Sequence, residues 1–390
     1  MIYSIEHPKK GLIQYDEPKR LMWSLVLLFL LIPLPVIYLF VVTGNPWLLV
    51  TPLFVSYIAL PLLDLVVGVD KNNPPEELVS QLEADPYYNR LLMLCIPIHI
   101  TVLVASAWLV GTHELTWFFL ITFAAVIGIA NGASINTAHE IGHKNTKRER
   151  FLSRVVLAVT GYGHFCIEHN LGHHRDVATP EDPASSRMGE SIYRFVLREI
   201  PGAAKRGWQE ESKRLTKRGL RVWSLDNHIL QSYLMTVVLQ GGLVILFGWP
   251  LIVFFAIHNL FAWLQLTSAN YIEHYGLLRA RKENGKYERC QPHHSWNANH
   301  YVSNLLLFQL QRHSDHHANA SRSYQSLRSL ENLPELPTSY SGMYLLAYLP
   351  WVWFRIMNKR LLEVPHINGD LDKVNIDPKY EAALKAKYAA

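Results

Sequence analysis

The stretch Glu168-His169-Asn170-Leu171-Gly172-His173-His174 decides how this chain is read. Taken as a helix, it puts His169 and His173 four residues apart on one face, with His174 beside them. The pattern returns in His139-Glu140-Ile141-Gly142-His143 and in His313-Ser314-Asp315-His316-His317, where the histidines again fall at helical spacing. A further histidine, His274, sits in Asn270-Tyr271-Ile272-Glu273-His274-Tyr275-Gly276, directly after a long apolar run. Together these nine imidazoles outnumber the ligands of any single ion, about four for a structural zinc and about six for an octahedral centre. The count points to two metals in one site.

The chain around these clusters has 390 residues, is 49% hydrophobic and carries a net charge of +5. Its apolar residues are gathered into runs near 21–43, 47–68, 91–110, 115–137, 229–248 and 250–269, while most of the charge lies between them. Each run approaches the roughly 20 residues that a bilayer core requires. The expected fold is therefore all-α, a six-helix transmembrane bundle carrying a histidine-rich helical cap. The first run is too long and wrongly flanked for a cleavable signal, and reads as a retained span. Pro33, Pro35 and Pro61 predict kinks, which membrane helices tolerate.

The short links Gly44 to Pro46, Gly111 to Glu114 and Trp249-Pro250 make three hairpins whose tips share one side. Both termini, the 69–90 segment, the 139–228 stretch and everything after 270 fall on the other. That side holds Lys9, Lys10, Lys19, Arg20 and nearly all the remaining basic residues, so the positive-inside rule makes it cytoplasmic. The expected organisation is residues 1–138 with spans one to four, a cytoplasmic region 139–228, spans five and six in 229–269, and a cytoplasmic region 270–390. The aromatic run from Met343 to Met357 is too short to span and reads as an interfacial helix.

Imidazole suits iron, copper, zinc and nickel, so the histidines alone do not name the metal. Glu140, Glu168 and Glu273 flank the clusters and could each accept the outer N–H of a ligand, serve as ligands themselves, or simply be solvated. The His139–His143 segment also matches the H-E-x-x-H signature of a zinc metalloprotease. An intramembrane protease, however, needs only one further ligand and leaves the other histidines idle. A metal transporter would need ionisable residues within several spans, and these are nearly free of them. No nucleic-acid motif accompanies the basic surplus, and Cys95, Cys166 and Cys290 lack the spacing of a thiolate site.

In their order, His-Glu-Ile-Gly-His-Lys, Glu-His-Asn-Leu-Gly-His-His, Asn-Tyr-Ile-Glu-His-Tyr-Gly-Leu and Leu-Gln-Arg-His-Ser-Asp-His-His resemble the motifs of the integral-membrane alkane 1-monooxygenases of the AlkB type. These belong to the wider membrane fatty-acid desaturase and hydroxylase superfamily, and the likeness runs from the first span to about residue 340. The resemblance implies a bacterial inner-membrane enzyme with two non-haem iron ions that uses O2 to hydroxylate the terminal carbon of a medium-chain n-alkane taken from the membrane lipid. It implies His139, His143, His169, His173, His174, His274, His313, His316 and His317 as the iron ligands, with no catalytic residue beyond them. Electrons would come from a rubredoxin, reduced in turn by a rubredoxin reductase. An acyl-lipid desaturase or hydroxylase is the alternative within the same chemistry.

Several residues carry weaker expectations. Asp176 and Asp182 could steady ligand imidazoles or simply stabilise a turn. His293, His294 and Asn297 resemble part of a loop that in this family lies over the site, which implies at most a supporting or covering role for them. His164, His228, His258 and His300 stand alone and read as ordinary hydrogen-bonding groups, although His258 could line a tunnel. Asp64 lies at membrane depth and is a functional candidate on that ground; the plainer reading is an interfacial carboxylate beside Asp70 and Lys71.

Overall fold

The computed structural model describes residues 1–144 and 146–388; the last two residues of the expected C-terminal region lie outside that range. Among the described residues, six helices are long and apolar enough to cross a membrane: Met22–Thr43, Pro46–Val67, Pro86–Thr112, Trp117–Gly142, His228–Phe247 and Pro250–His274. These are the six expected runs, and the protein is an integral membrane protein. The fourth and sixth helices continue beyond their apolar stretches and end on Gly142 and His274, so two histidine clusters finish transmembrane helices.

The expected kinks fall at the prolines. The first span divides at Ile32 into Leu25–Leu31 and Pro33–Thr43, because proline has no N–H to continue the ladder. In the second span a π-helical turn over Val55–Ala59 leads into the α-helix Leu60–Val67, which carries Pro61 in its first turn.

Spans three and four are the most enclosed, with 50% and 56% of their apolar windows buried against 17% and 22% for spans two and five. Val66, Val238 and Ile245 of the outer spans project outward, as lipid-facing residues do. Span six lies close along span four because Gly128 and Gly132 share a face. A Cβ at Gly128 would strike the His258 backbone and one at Gly132 the Gln265 side chain, the small-residue contact typical of membrane helices. Polar groups buried in this bundle satisfy one another. His258 Nε2 lies 3.1 Å from Asn131 Nδ2 and its Nδ1 2.9 Å from Asn259 Oδ1, so His258 holds helices together and does not line the cavity described below. His164 likewise meets the Tyr233 hydroxyl at 2.9 Å.

Outside the spans, the polar N-terminus forms an antiparallel hairpin, Ile2–His7 with Gly11–Asp16, that was not expected from its sequence. Tyr3 and Tyr15 pack with Leu78 and Leu82 of the segment before span three. The aromatic run near 350 forms two helices, Tyr340–Ala347 and Pro350–Leu362, in place of the single one expected, since Pro350 starts a new helix. Their buried faces, with Tyr340 and Trp353, close around Tyr271, Tyr275 and Trp296 at the end of span six. A long amphipathic helix, Ile192–Lys217, lies beside the same end.

Asp64 is buried. Its Oδ1 accepts the N–H groups of Val302 and Ser303 at 3.1 and 3.0 Å, capping the helix Tyr301–Leu306 from another part of the chain. Asp64→Ala is expected to leave these donors unpaired and to lower stability by about 1–2 kcal/mol, read as a fall in melting temperature in detergent.

Glu199 of the amphipathic helix accepts from Thr267 Oγ1 at 2.8 Å and Asn270 Nδ2 at 3.2 Å. Burial pushes its carboxyl up from 4.5 to about 7. The unfolded chain therefore ionises first. The stability tied to the protonated acid is complete below pH 4.5 and is lost as pH rises towards 7. Glu199→Gln is expected to raise stability at pH 8 by up to about 3 kcal/mol and to change little at pH 4.5, as paired melting curves at the two pH values would show.

Candidate metal centre

Four separate pieces of chain bring the nine histidines together at the ends of spans four and six. They form two groups, His139, His143, His169, His174 and His316, and His173, His274, His313 and His317; within each, one nitrogen per ring lies within 4.8 Å of all the others. Neighbouring nitrogens are closer still. His139 and His316 Nε2 are 3.0 Å apart, His169 and His174 3.1 Å, His274 and His313 3.1 Å, and His313 and His317 2.9 Å. Ligands at right angles, each about 2.1 Å from a shared ion, stand about 3.0 Å apart, so these spacings fit a metal at the centre of each group.

The division between the groups follows from helix geometry. Residues 169–173 are not α-helical but form a π turn, which widens the repeat so that residues five apart align. His169 therefore pairs with His174, and His173 turns to the second group. The rings of His169 and His173 still lie side by side, stacked with centroids 5.2 Å apart, as their spacing predicts, but their donor atoms serve different groups. In the helix His313–Ala318 the α spacing holds, so His313 and His317 meet in one group while His316 reaches across to the other. The rings of His174 and His317, 4.6 Å apart, bridge the two.

The flanking acids take distinct places. Asp182 Oδ2 accepts from His173 Nδ1 at 2.9 Å. Burial opposes its charge, yet His173, Arg206 and the Ser185 hydroxyl hold the carboxyl far below its ordinary range. With the proton on Nδ1, the His173 Nε2 lone pair points inward, where it has no protein partner. Glu168 bonds no ligand ring; it is held by Arg206, whose Nη2 also donates to Asp182 Oδ1 at 2.6 Å. Glu140 stands 3.6 Å from His139 Nδ1, beyond hydrogen-bonding reach, and Glu273 turns Oε2 towards His313 Nε2 at 3.4 Å. Asp176 pairs with Arg175 at 2.7 Å. His294 faces the centre with its backbone carbonyl, 3.4 Å from His274 Nδ1. Asn297 holds both the N–H and the hydroxyl of Ser314, at 2.9 and 2.6 Å, fixing the start of the last histidine helix.

Arg206 carried no signal in the sequence beyond being one of many basic residues. It is buried, and Gly172 makes room for it, since a Cβ there would come within 2.5 Å of Arg206 Nε. Asp315, between two of the histidines, was also passed over. It accepts the Arg328 N–H at 2.9 Å and pairs with the Arg322 and Arg328 side chains at 3.4 Å.

Among the described residues, two of the cavities reach the centre. One of about 110 Å³ lies among spans one, two, four and six, is walled by Phe29, Leu60, Ile129 and Leu266, and ends on His139, His169 and His313. The π turn of span two contributes Tyr57, whose hydroxyl donates to Gln265 Oε1 at 2.9 Å. The other, about 850 Å³, touches His143 and is ringed by Lys144, Lys147, Arg150, Arg154, Arg214 and Arg218.

Arg206→Leu is expected to strand the buried carboxylates of Glu168 and Asp182 and to cost about 3–5 kcal/mol. The loss should appear as a lowered melting temperature together with weaker metal retention during dialysis against a chelator.

Residues 115–347 match the family model for fatty acid desaturase. Over 376 residues the chain is 52% identical to the alkane 1-monooxygenase of Ectopseudomonas oleovorans and 51% identical to that of Pseudomonas putida, covering 96% of this chain and 93% of each relative. It is also 26% identical, over 58% of its length and 60% of the relative's, to the xylene/toluene monooxygenase hydroxylase component XylM of Pseudomonas putida. With half its residues shared along almost its entire length, the chain belongs to the alkane 1-monooxygenase family, within the membrane fatty acid desaturase and hydroxylase superfamily.

Proposed function

We propose that this protein hydroxylates the terminal carbon of medium-chain n-alkanes to 1-alkanols, using O2 and electrons delivered by a rubredoxin. The observation that carries the reading is the apolar cavity among the spans that ends on His139, His169 and His313. One iron would be held by His139, His143, His169, His174 and His316, the other by His173, His274, His313 and His317. The bound irons supply the activation of O2, so that with two electrons and two protons one oxygen atom enters the terminal C–H bond and the other leaves as water.

The chain's own residues account for selectivity. A hydrocarbon offers nothing to hydrogen-bond, so the apolar wall of Phe29, Leu60, Ile129 and Leu266 binds it by burial alone. A narrow cavity presents the chain end first, which favours the methyl group over its weaker secondary neighbours. Asp182 keeps the proton of His173 on Nδ1, and Arg206 keeps Asp182 ionised and in place.

The histidine end carries most of the basic residues, so we place it, with both termini and the regions 139–228 and 270–390, on the cytoplasmic side of the bacterial inner membrane. The basic cavity beside His143 suits an acidic electron carrier such as rubredoxin.

Detergent-purified protein supplied with octane, O2, rubredoxin and its reductase is expected to form 1-octanol and to contain about two irons per chain. Oxidation of an acyl thioester in preference to octane would move the protein to the desaturase branch. Zinc without any oxygenated product would overturn the proposal altogether.

A further inference from the structure

Away from the nine histidines, the described residues hold one more group of metal-type donors. Glu288, His293 and His294 each place a donor atom within 4.8 Å of the others. His366, after the helix Pro350–Leu362, stands beside them: its ring lies 4.3 Å from that of His293, and its Nε2 is buried with no hydrogen-bond partner. Ring separations of 4.2 Å between His293 and His294 and 4.3 Å between His293 and His366 are close to the 4.5 Å between His313 and His317 in the main centre.

The hydrogen bonds sort these residues into roles. His294 Nδ1 accepts the Gln291 N–H at 2.9 Å, which leaves the ring proton on Nε2. That nitrogen faces Glu288 Oε1 at 3.5 Å without a hydrogen bond, and because it carries the ring proton it is not itself a ligand. Glu288 is held from the other side by the Ala280 N–H, which donates to Oε1 at 2.9 Å. His293 and His366 have no such commitments on the nitrogens that face the group. We propose that Glu288, His293 and His366 bind one divalent transition-metal ion, separately from the main centre.

Two imidazoles and one carboxylate suit zinc, cobalt or ferrous iron rather than magnesium or calcium, which favour all-oxygen sites. Three protein ligands leave a position for water, so the ion is exchangeable. Because the His294 carbonyl faces His274 Nδ1, the ion would stiffen the loop that backs a main-centre histidine.

The test uses the full chain in detergent, with its tightly held metal already in place and excess removed, titrated with Co2+. One additional cobalt per chain is expected, with visible d–d absorption, and it should be lost in Glu288→Gln and in His366→Ala while the tightly held metal and the melting temperature are retained. Absence of the additional cobalt, or its persistence in both variants, overturns the site. If His366→Ala disturbs the fold, Glu288→Gln decides, because the amide keeps an acceptor for the Ala280 N–H.

Discussion

Nine imidazoles, all buried but the half-buried His143 and His174, turn their inner nitrogens towards one another at one end of an apolar bundle. Two neutral rings can share one proton between facing nitrogens, but a group of four or five converging on one point cannot satisfy itself that way. A cation at that point can. The spacings near 3.0 Å within each group, and the unpartnered Nε2 atoms of His143 and His173, are therefore the arrangement on which the rest of the architecture depends. Ligand nitrogens must be held to within a fraction of an ångström, and the remainder of the structure supplies that restraint.

The restraint is largely ionic and comes from distant parts of the chain. Arg206 clamps Glu168 and Asp182 behind the second cluster, and Asp315 gathers Arg322 and Arg328 behind the third. Arg312, next to the ligand His313, is buried against Asp70, which also pairs with Lys19 from the N-terminal segment. Buried pairs of this kind add little net stability compared with apolar packing, but removing one partner is costly, so they hold a single geometry. The link from Lys19 through Asp70 to Arg312 also explains why the segments outside the spans pack where they do.

The π turns of spans two and of the central cluster show a second device. Each departs from α geometry at a place where the site needs it, one aiming Tyr57 into the apolar cavity and the other parting His173 from His169.

The sequence by itself determined the six spans, because about 20 consecutive apolar residues have few stable homes other than a bilayer, and it determined which nine histidines meet, because imidazoles at helical spacing beside those spans have one economical use. Only the tertiary structure decided how the nine divide into five and four, since that depends on a π turn whose backbone differs little in propensity from an α turn. It also decided the partners of the acids. Asp64 caps a helix far along the chain, Glu168 serves Arg206 rather than an imidazole, and Arg206 itself looked like any other basic residue. Such contacts are set by which distant surfaces pack together, and local spacing carries no record of them.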